Sequence, residues 1–285
     1  LHTAIHSFPT RRSSDLMASA NLRFNHNQRS FDIVTRFEKR YPDFDGLNLT
    51  KEVLVGILKH STVYDKPEDS HYNTFVDEGP TLEAKAVDIA DSLAYLSHDI
   101  DDGITSGCIA GEDLRESRLW KKACQRVDAA LEAKNKEIFK YQIVKALIDE
   151  QMRDLQAFSS KRLKELDFGS SADVKIYNYK NPHETVIGFS APMNEEREYL
   201  QNLLGEKFYR HHRVIRMTDK AKRIIEDLFK VYAQTPEQLP ETVYRREAQH
   251  NENEKYEIIC NYIASMTDRT AIDEHKKLFD PCEKV

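Results

Sequence analysis

Residues 87–103 read VDIADSLAYLSHDIDDG. At about 100° per residue, Asp88, Asp91, Tyr95, His98, Asp99 and Asp102 fall within about a third of a helix circumference. Ile89, Leu93, Leu96 and Ile100 form a stripe roughly opposite. One side of this helix packs, and the other offers four carboxylates, a phenol and an imidazole. The plain alternative is a solvated acidic surface, and two features weigh against it. Between Lys85 and Arg115 the chain has neither Lys nor Arg, and like charges one turn apart cost roughly 0.2–0.5 kcal/mol per pair. Aspartate also competes for backbone hydrogen bonds inside a helix, so a surface shaped only for solubility would use Glu and Lys. A bound divalent cation or a cationic neighbour removes the conflict.

Outward from this stretch the pattern is helical. The acidic helix is predicted from about Leu82 to Asp102, ended by Gly103. Before it, Phe31, Ile33, Val34 and Phe37 fit one face of a helix over 29–41 that Pro42 stops, and Thr50 can cap a second helix reaching about His60. Residues 61–80 are polar, with Pro67, Gly79 and Pro80, and read as a loop covering or approaching the site. After it, helices are predicted over 114–133 and 134–166. Composition changes at 167–171. Val174–Tyr179 and Glu184–Phe189 then carry β-branched and aromatic residues around Asn181-Pro182, compatible with a small β-hairpin. Further helices are predicted over 193–209, 218–233, 256–264 and 271–278, with Pro236 and Pro240 bracketing a connector. The expected fold class is all-α with a small hairpin in the C-terminal part.

Composition agrees. The 285 residues are 40% hydrophobic and 32% charged, with only nine Gly and nine Pro, too few turn formers for an all-β fold. No run approaches the roughly 20 apolar residues of a membrane span. A net charge of −6 argues against nucleic acid as the principal partner. Cys108, Cys124, Cys260 and Cys282 are scattered and form no metal-type pair, so a reducing cytoplasm is the expected location. Residues 1–16, LHTAIHSFPTRRSSDL, have no apolar core of a signal peptide. From His6 to Leu16 they resemble the translation of a sequencing adaptor. We expect a non-native tail, with natural sequence upstream of Met17 missing; the alternative is a natural disordered tail.

Several further blocks stand in order along the chain: Phe24-Asn25-His26-Asn27-Gln28, Arg40-Tyr41-Pro42-Asp43, Gly46-Leu47-Asn48-Leu49-Thr50, Gly56-Ile57-Leu58-Lys59-His60, Leu82-Glu83-Ala84 and the Asp91…Asp102-Gly103 helix. Together they resemble the deoxyguanosine triphosphate triphosphohydrolase-like family of the HD superfamily. Tyr209-Arg210-His211 and Met266-Thr267-Asp268-Arg269 with Ala271 are similar to the associated C-terminal domain. The match runs from about Asn21 to Pro281, and the joint order of the blocks is what makes it specific. It implies an HD phosphohydrolase part over 17–166 and an associated domain over 167–285. The implied reaction is metal-dependent release of intact triphosphate from a deoxynucleoside triphosphate, with Mg²⁺ or Mn²⁺ activating water. The resemblance makes Asp91 a metal ligand. It packs Tyr95 against the deoxyribose and has Asp99 accept a hydrogen bond from the sugar 3′-OH. It offers Lys59 as a phosphate contact, although a lone lysine is more often a surface charge. A homo-oligomer and a single-stranded DNA effector are the implied partners.

The sequence also departs from the family pattern. The family's first His, its His-Asp pair and a following His precede the Phe-x-His-Asn block, where this chain has only the adaptor-like residues and a few others. His98-Asp99 is the only His-Asp dipeptide, and it falls within the sugar-binding helix. One carboxylate does not hold a catalytic ion tightly, so this chain alone is expected to be inactive. The alternative is a non-catalytic helical module for nucleotide binding or oligomerisation. For His26 and Asn27 a helix cap or core hydrogen bond is the expected role. Tyr209–Arg213 reads as a small basic cluster facing an interface, an effector or solvent.

Overall fold

A computed structural model describes residues 26–60, 78–241, 243–244 and 252–284. The expectations for residues 1–16, and for most of the 61–80 loop, lie outside them. The described residues are helical, and no strand occurs among them beyond an isolated bridge between Lys39 and Gly46. In chain order the helices begin with α1 (His26–Asp32), which widens into a π-turn over Ile33–Phe37, and α2 (Lys51–Leu58). The acidic helix is α3 (Leu82–Thr105), followed by α4 (Arg118–Gln125), α5 (Ala130–Lys134) and α6 (Lys136–Leu166). Then come α7 (Ser171–Lys180) and α8 (Ala191–Leu204), the latter continuing as a π-turn over Gly205–Tyr209. Last are α9 (His212–Gln234), α10 (Glu252–Ala264) and α11 (Asp268–Phe279). Among the described residues, no helix is long and apolar enough to cross a membrane.

The chain forms two compact units that divide at Tyr209/Arg210. In the unit over residues 27–209, α3 packs against α2, α6 and α8. Thr81 caps α3 by accepting from the Ala84 N–H at 3.3 Å, and Leu93, Leu96 and Ile100 are buried along it as the helical period requires. Long α6 starts where the Asn135 side chain accepts from the N–H groups of Glu137 and Ile138, and it ends at left-handed Asp167 (φ 43°). In the unit built on residues 210–284, α9 presents Ala221, Ile224, Ile225, Leu228 and Tyr232 at helical spacing. They meet Ile259, Cys260 and Ile263 of α10 and Ala271 of α11. Each such fully buried aliphatic side chain contributes about 1.5–3 kcal/mol relative to exposure.

The expected hairpin is not formed. Val174–Tyr179 lies inside α7, because Ser170 accepts from the Asp173 N–H and opens a helix there. Val174 and Asn178, one turn apart, are the buried positions, and Asn178 donates to the Pro80 carbonyl at 2.7 Å. The segment 184–189 stays irregular; the Gly188 N–H donates to the Ser159 hydroxyl at 3.1 Å instead of to a strand. Gly103 does not end α3 either. It is buried where Ile109 crosses, and a Cβ there would meet Ile109 Cδ1 at 2.6 Å. The helix ends two residues later, before Gly107 at φ 70°.

Candidate functional site

Along α3 the acidic face is covered rather than solvated. Asp99 and Asp102 are each 8% exposed. Asp88, Asp91 and Tyr95 are half-buried, and only His98 of the face is exposed. Asp88, Asp91 and Asp99 each meet a group from another element. At the N-terminal half, His60 just beyond the C-terminus of α2 fits between two acids. Its Nδ1 is 2.5 Å from Asp88 Oδ1 and its Nε2 is 4.0 Å from Asp91 Oδ2. At the C-terminal half, the Tyr209 hydroxyl, last in the π-turn after α8, donates to Asp99 Oδ2. π-turns concentrate at functional positions because the extra residue re-aims a side chain.

His60 is held in place from behind. Asn27, 3% exposed, donates through Nδ2 to the carbonyls of Leu58 at 3.2 Å and His60 at 2.8 Å, closing the end of α2. Thus Asn27 has the capping role expected for its block. Thr50 occupies the N-cap of α2 in extended backbone, but its side chain makes no capping hydrogen bond. Lys59 is half-buried, and its ammonium donates to the Glu78 carbonyl. Around that point Glu78 pairs with Lys51 (2.6 Å) and Lys175 (3.4 Å), and Lys175 also meets Glu52. The hydrogen bond from Lys51 holds the Glu78 carboxyl below its ordinary value.

The sequence-predicted residues therefore share one region but differ in surroundings. Asp91, Tyr95 and Asp99 lie on one face of α3, with Asp91 near His60 and Asp99 near Tyr209. A cavity of about 190 Å³ opens beside Asp88, lined also by Lys85, Ile89, Asn178, His183 and Thr185; it does not include Asp91, Tyr95 or Asp99. The helical period places Asp88 on the acidic face, but nothing in the sequence pairs it with His60 or pairs Asp99 with Tyr209. For His60, the adjoining Lys59 was the available signal. Among the described residues, no group of three His, Cys, Asp or Glu side chains is arranged to hold a metal ion. Asp91 with His60 offers donors of the right type for a divalent ion, yet these two residues do not make a complete site.

Residues 187–277 match the family model described as the phosphohydrolase-associated domain. Over 262 residues the chain is 40% identical to a deoxyguanosinetriphosphate triphosphohydrolase-like protein of Geobacter sulfurreducens, and 39% identical to one of Geobacter metallireducens. A protein of the same name from Ralstonia pickettii is 37% identical over 258 residues. The Geobacter matches cover 92% of this chain and 66% of each relative, so the chain spans just under two thirds of their length. The Ralstonia match covers 90% and 64%. The chain belongs to the family of deoxyguanosinetriphosphate triphosphohydrolase-like proteins.

Proposed function

We propose that this chain supplies the sugar-binding wall of an enzyme that hydrolyses a deoxynucleoside triphosphate, of the dGTP type, to a deoxynucleoside and triphosphate. The observation that carries the reading is the covered face of α3, with Asp99 buried against Tyr209 and Asp91 beside His60. A surface that served only solubility would leave those carboxylates in water. In this reading Asp99 accepts the sugar 3′-OH; a carboxylate has about four acceptor sites, so its bond from Tyr209 does not bar a second donor. The Tyr95 ring packs on the deoxyribose, where a 2′-OH would meet it. The Lys59 ammonium contacts phosphate oxygens. Asp91 would be one ligand of a divalent ion, Mg²⁺ or Mn²⁺, which when bound would supply an activated water. The partners we propose are the nucleotide and further copies of the chain, with single-stranded DNA as a lesser effector.

A second reading applies to the chain by itself: a helical nucleotide-binding module without turnover. The Asp91 carboxylate facing the His60 imidazole at 4.0 Å, a contact that needs no metal ion, is the observation behind it. The test has two arms. The purified chain with dGTP and Mn²⁺ is expected to bind nucleotide but release no more triphosphate than its Asp91→Ala variant. A chimera adding the part of the Geobacter sulfurreducens relative that the chain does not span is expected to release triphosphate, and Asp91→Ala to abolish it. Turnover by the chain alone would refute the second reading; an inactive, folded chimera would refute the first.

A further inference from the structure

Behind the acidic face a buried polar network crosses three helices. Arg197 of α8 is 5% exposed, yet carries a guanidinium. Its Nη2 donates to Ser92 Oγ of α3 at 2.7 Å, its Nη1 donates to Gln151 Oε1 of α6, and its Cζ lies 4.3 Å from the Phe189 ring centroid. Fully buried Gln151 passes the connection on: its Nε2 donates to the Leu147 carbonyl at 3.1 Å and to Ser97 Oγ at 3.5 Å. Ser97, also fully buried, donates to the Leu93 carbonyl at 2.9 Å.

Stability does not explain such an arrangement. Removing a guanidinium from water is costly, and apolar side chains of similar volume often stabilise a core at least as well. What directional bonds add is position. An apolar stripe such as Leu93, Leu96 and Ile100 tolerates small rotations, whereas hydrogen bonds weaken steeply as distance and angle depart from their optimum. The two gripped points on α3 are also informative. Ser92 follows Asp91 directly, and Ser97 lies between Tyr95 and Asp99. Further along the same chain segment, Tyr209 reaches Asp99 itself. The segment from α8 through its π-turn therefore holds α3 at Ser92 and at Asp99, with Gln151 fixing it between.

We propose that Arg197, acting through Ser92, Gln151 and Ser97, is a positioning residue that sets the rotation of α3 and so aims Asp91, Tyr95 and Asp99 at the nucleotide. The inference rests on the nucleotide site proposed above. It is tested in the full chain by a triple variant, R197M/Q151M/S97A, which removes the buried polar groups of the network and leaves only the half-buried Ser92 hydroxyl to turn to water, and by R197K, which keeps the charge but loses the planar fork. Thermal unfolding, amide exchange of peptides from Leu82–Thr105 and dGTP titration are read together. The triple variant should keep its Tm within a few degrees, while exchange along α3 rises about tenfold and dGTP affinity falls about tenfold, with R197K between. Unchanged exchange along α3 would overturn the proposal, as would a uniform rise across residues 27–209 with a lowered Tm. Unchanged dGTP affinity despite faster exchange would overturn its link to the site. If the unsubstituted chain binds no dGTP, the nucleotide reading fails; the positioning of α3 is then decided by the exchange pattern alone.

Discussion

Asp99 is a buried carboxylate whose partner comes from far along the chain. The Tyr209 hydroxyl that bonds it is 110 residues away. Removing that hydroxyl withdraws one donor from a charge that is 8% exposed, a change that costs about 1–3 kcal/mol. Tyr209→Phe is therefore expected to lower the urea midpoint and weaken dGTP binding about tenfold, measured by titration calorimetry. Stability and affinity equal to the parent would show that Asp99 does not depend on this contact. At the other end of the face, Asp88→Asn is expected to weaken the bond that orients His60, because a neutral amide oxygen is a poorer acceptor than a carboxylate. At this scale the sequence was readable within one helix, because a fixed rotation per residue places Asp91, Tyr95 and Asp99 together. It was silent across helices. Nothing in the local pattern around Tyr209 or His60 states which acid each will meet, since that is decided by how helices pack.

Elements were legible in kind and less so in their ends. The apolar period located α3, α6 and α9, but two signals were ambiguous. Val174, Ile176 and the tyrosines of 174–179 suit a strand by propensity. Ser170 and Asp173 start a helix instead, and burial of Val174 and Asn178 selects it. Gly103 resembled a stop, yet its missing side chain admits Ile109. Gly103→Ala would gain up to about 1 kcal/mol of helix propensity, against about 1–3 kcal/mol for overpacking. Ile109 is 2% exposed and its N–H is tied to the Gly103 carbonyl at 3.0 Å, so the clash should win. We expect net destabilisation of about 1 kcal/mol, relieved by adding Ile109→Val, which deletes the clashing Cδ1. Greater stability of Gly103→Ala in urea would mean that Ile109 swings aside.

Glu196 gives a pH-dependent case at the same scale. Its carboxylate accepts from the Leu119 N–H (3.1 Å), Arg118 Nε (2.8 Å) and the Ser117 hydroxyl (3.0 Å), joining α8 to the start of α4. Burial alone would raise its pKa, but these hydrogen bonds outweigh burial and hold it below the ordinary value. A depressed folded-state value means that the ionised form stabilises the fold above the unfolded pKa of about 4.3. That contribution is lost as pH falls through the folded value. Glu196→Gln should thus cost about 1 kcal/mol at pH 7, and the difference from the parent should shrink below about pH 4. An equal difference at both pH values in urea melts would rule out the charge as its source.

On the scale of the molecule, the unit built on residues 210–284 carries its own probe of cooperativity. Cys260 of α10 is fully buried among Ile225, Leu228 and Tyr232 of α9, whereas Cys282 is exposed and Cys108 and Cys124 are half-buried. Burial, with a smaller contribution from the Glu257 charge, pushes the Cys260 thiol up to about 12. At pH 8 only about one in ten thousand such thiols would be ionised, and the thiolate is the reacting species. A thiol reagent should modify Cys282 first, then Cys108 and Cys124, and leave Cys260 untouched in native buffer. Modification of Cys260 should then require opening of this core, so that its rate rises with urea in parallel with loss of helical signal and yields the opening free energy of the unit. The pattern of apolar residues along α9 made such a core foreseeable, but not that a cysteine would sit at its centre, because the run Ile258-Ile259-Cys260 leaves open which side chains face inward. Labelling of Cys260 in native buffer as fast as Cys282 would mean that α9, α10 and α11 do not close around it.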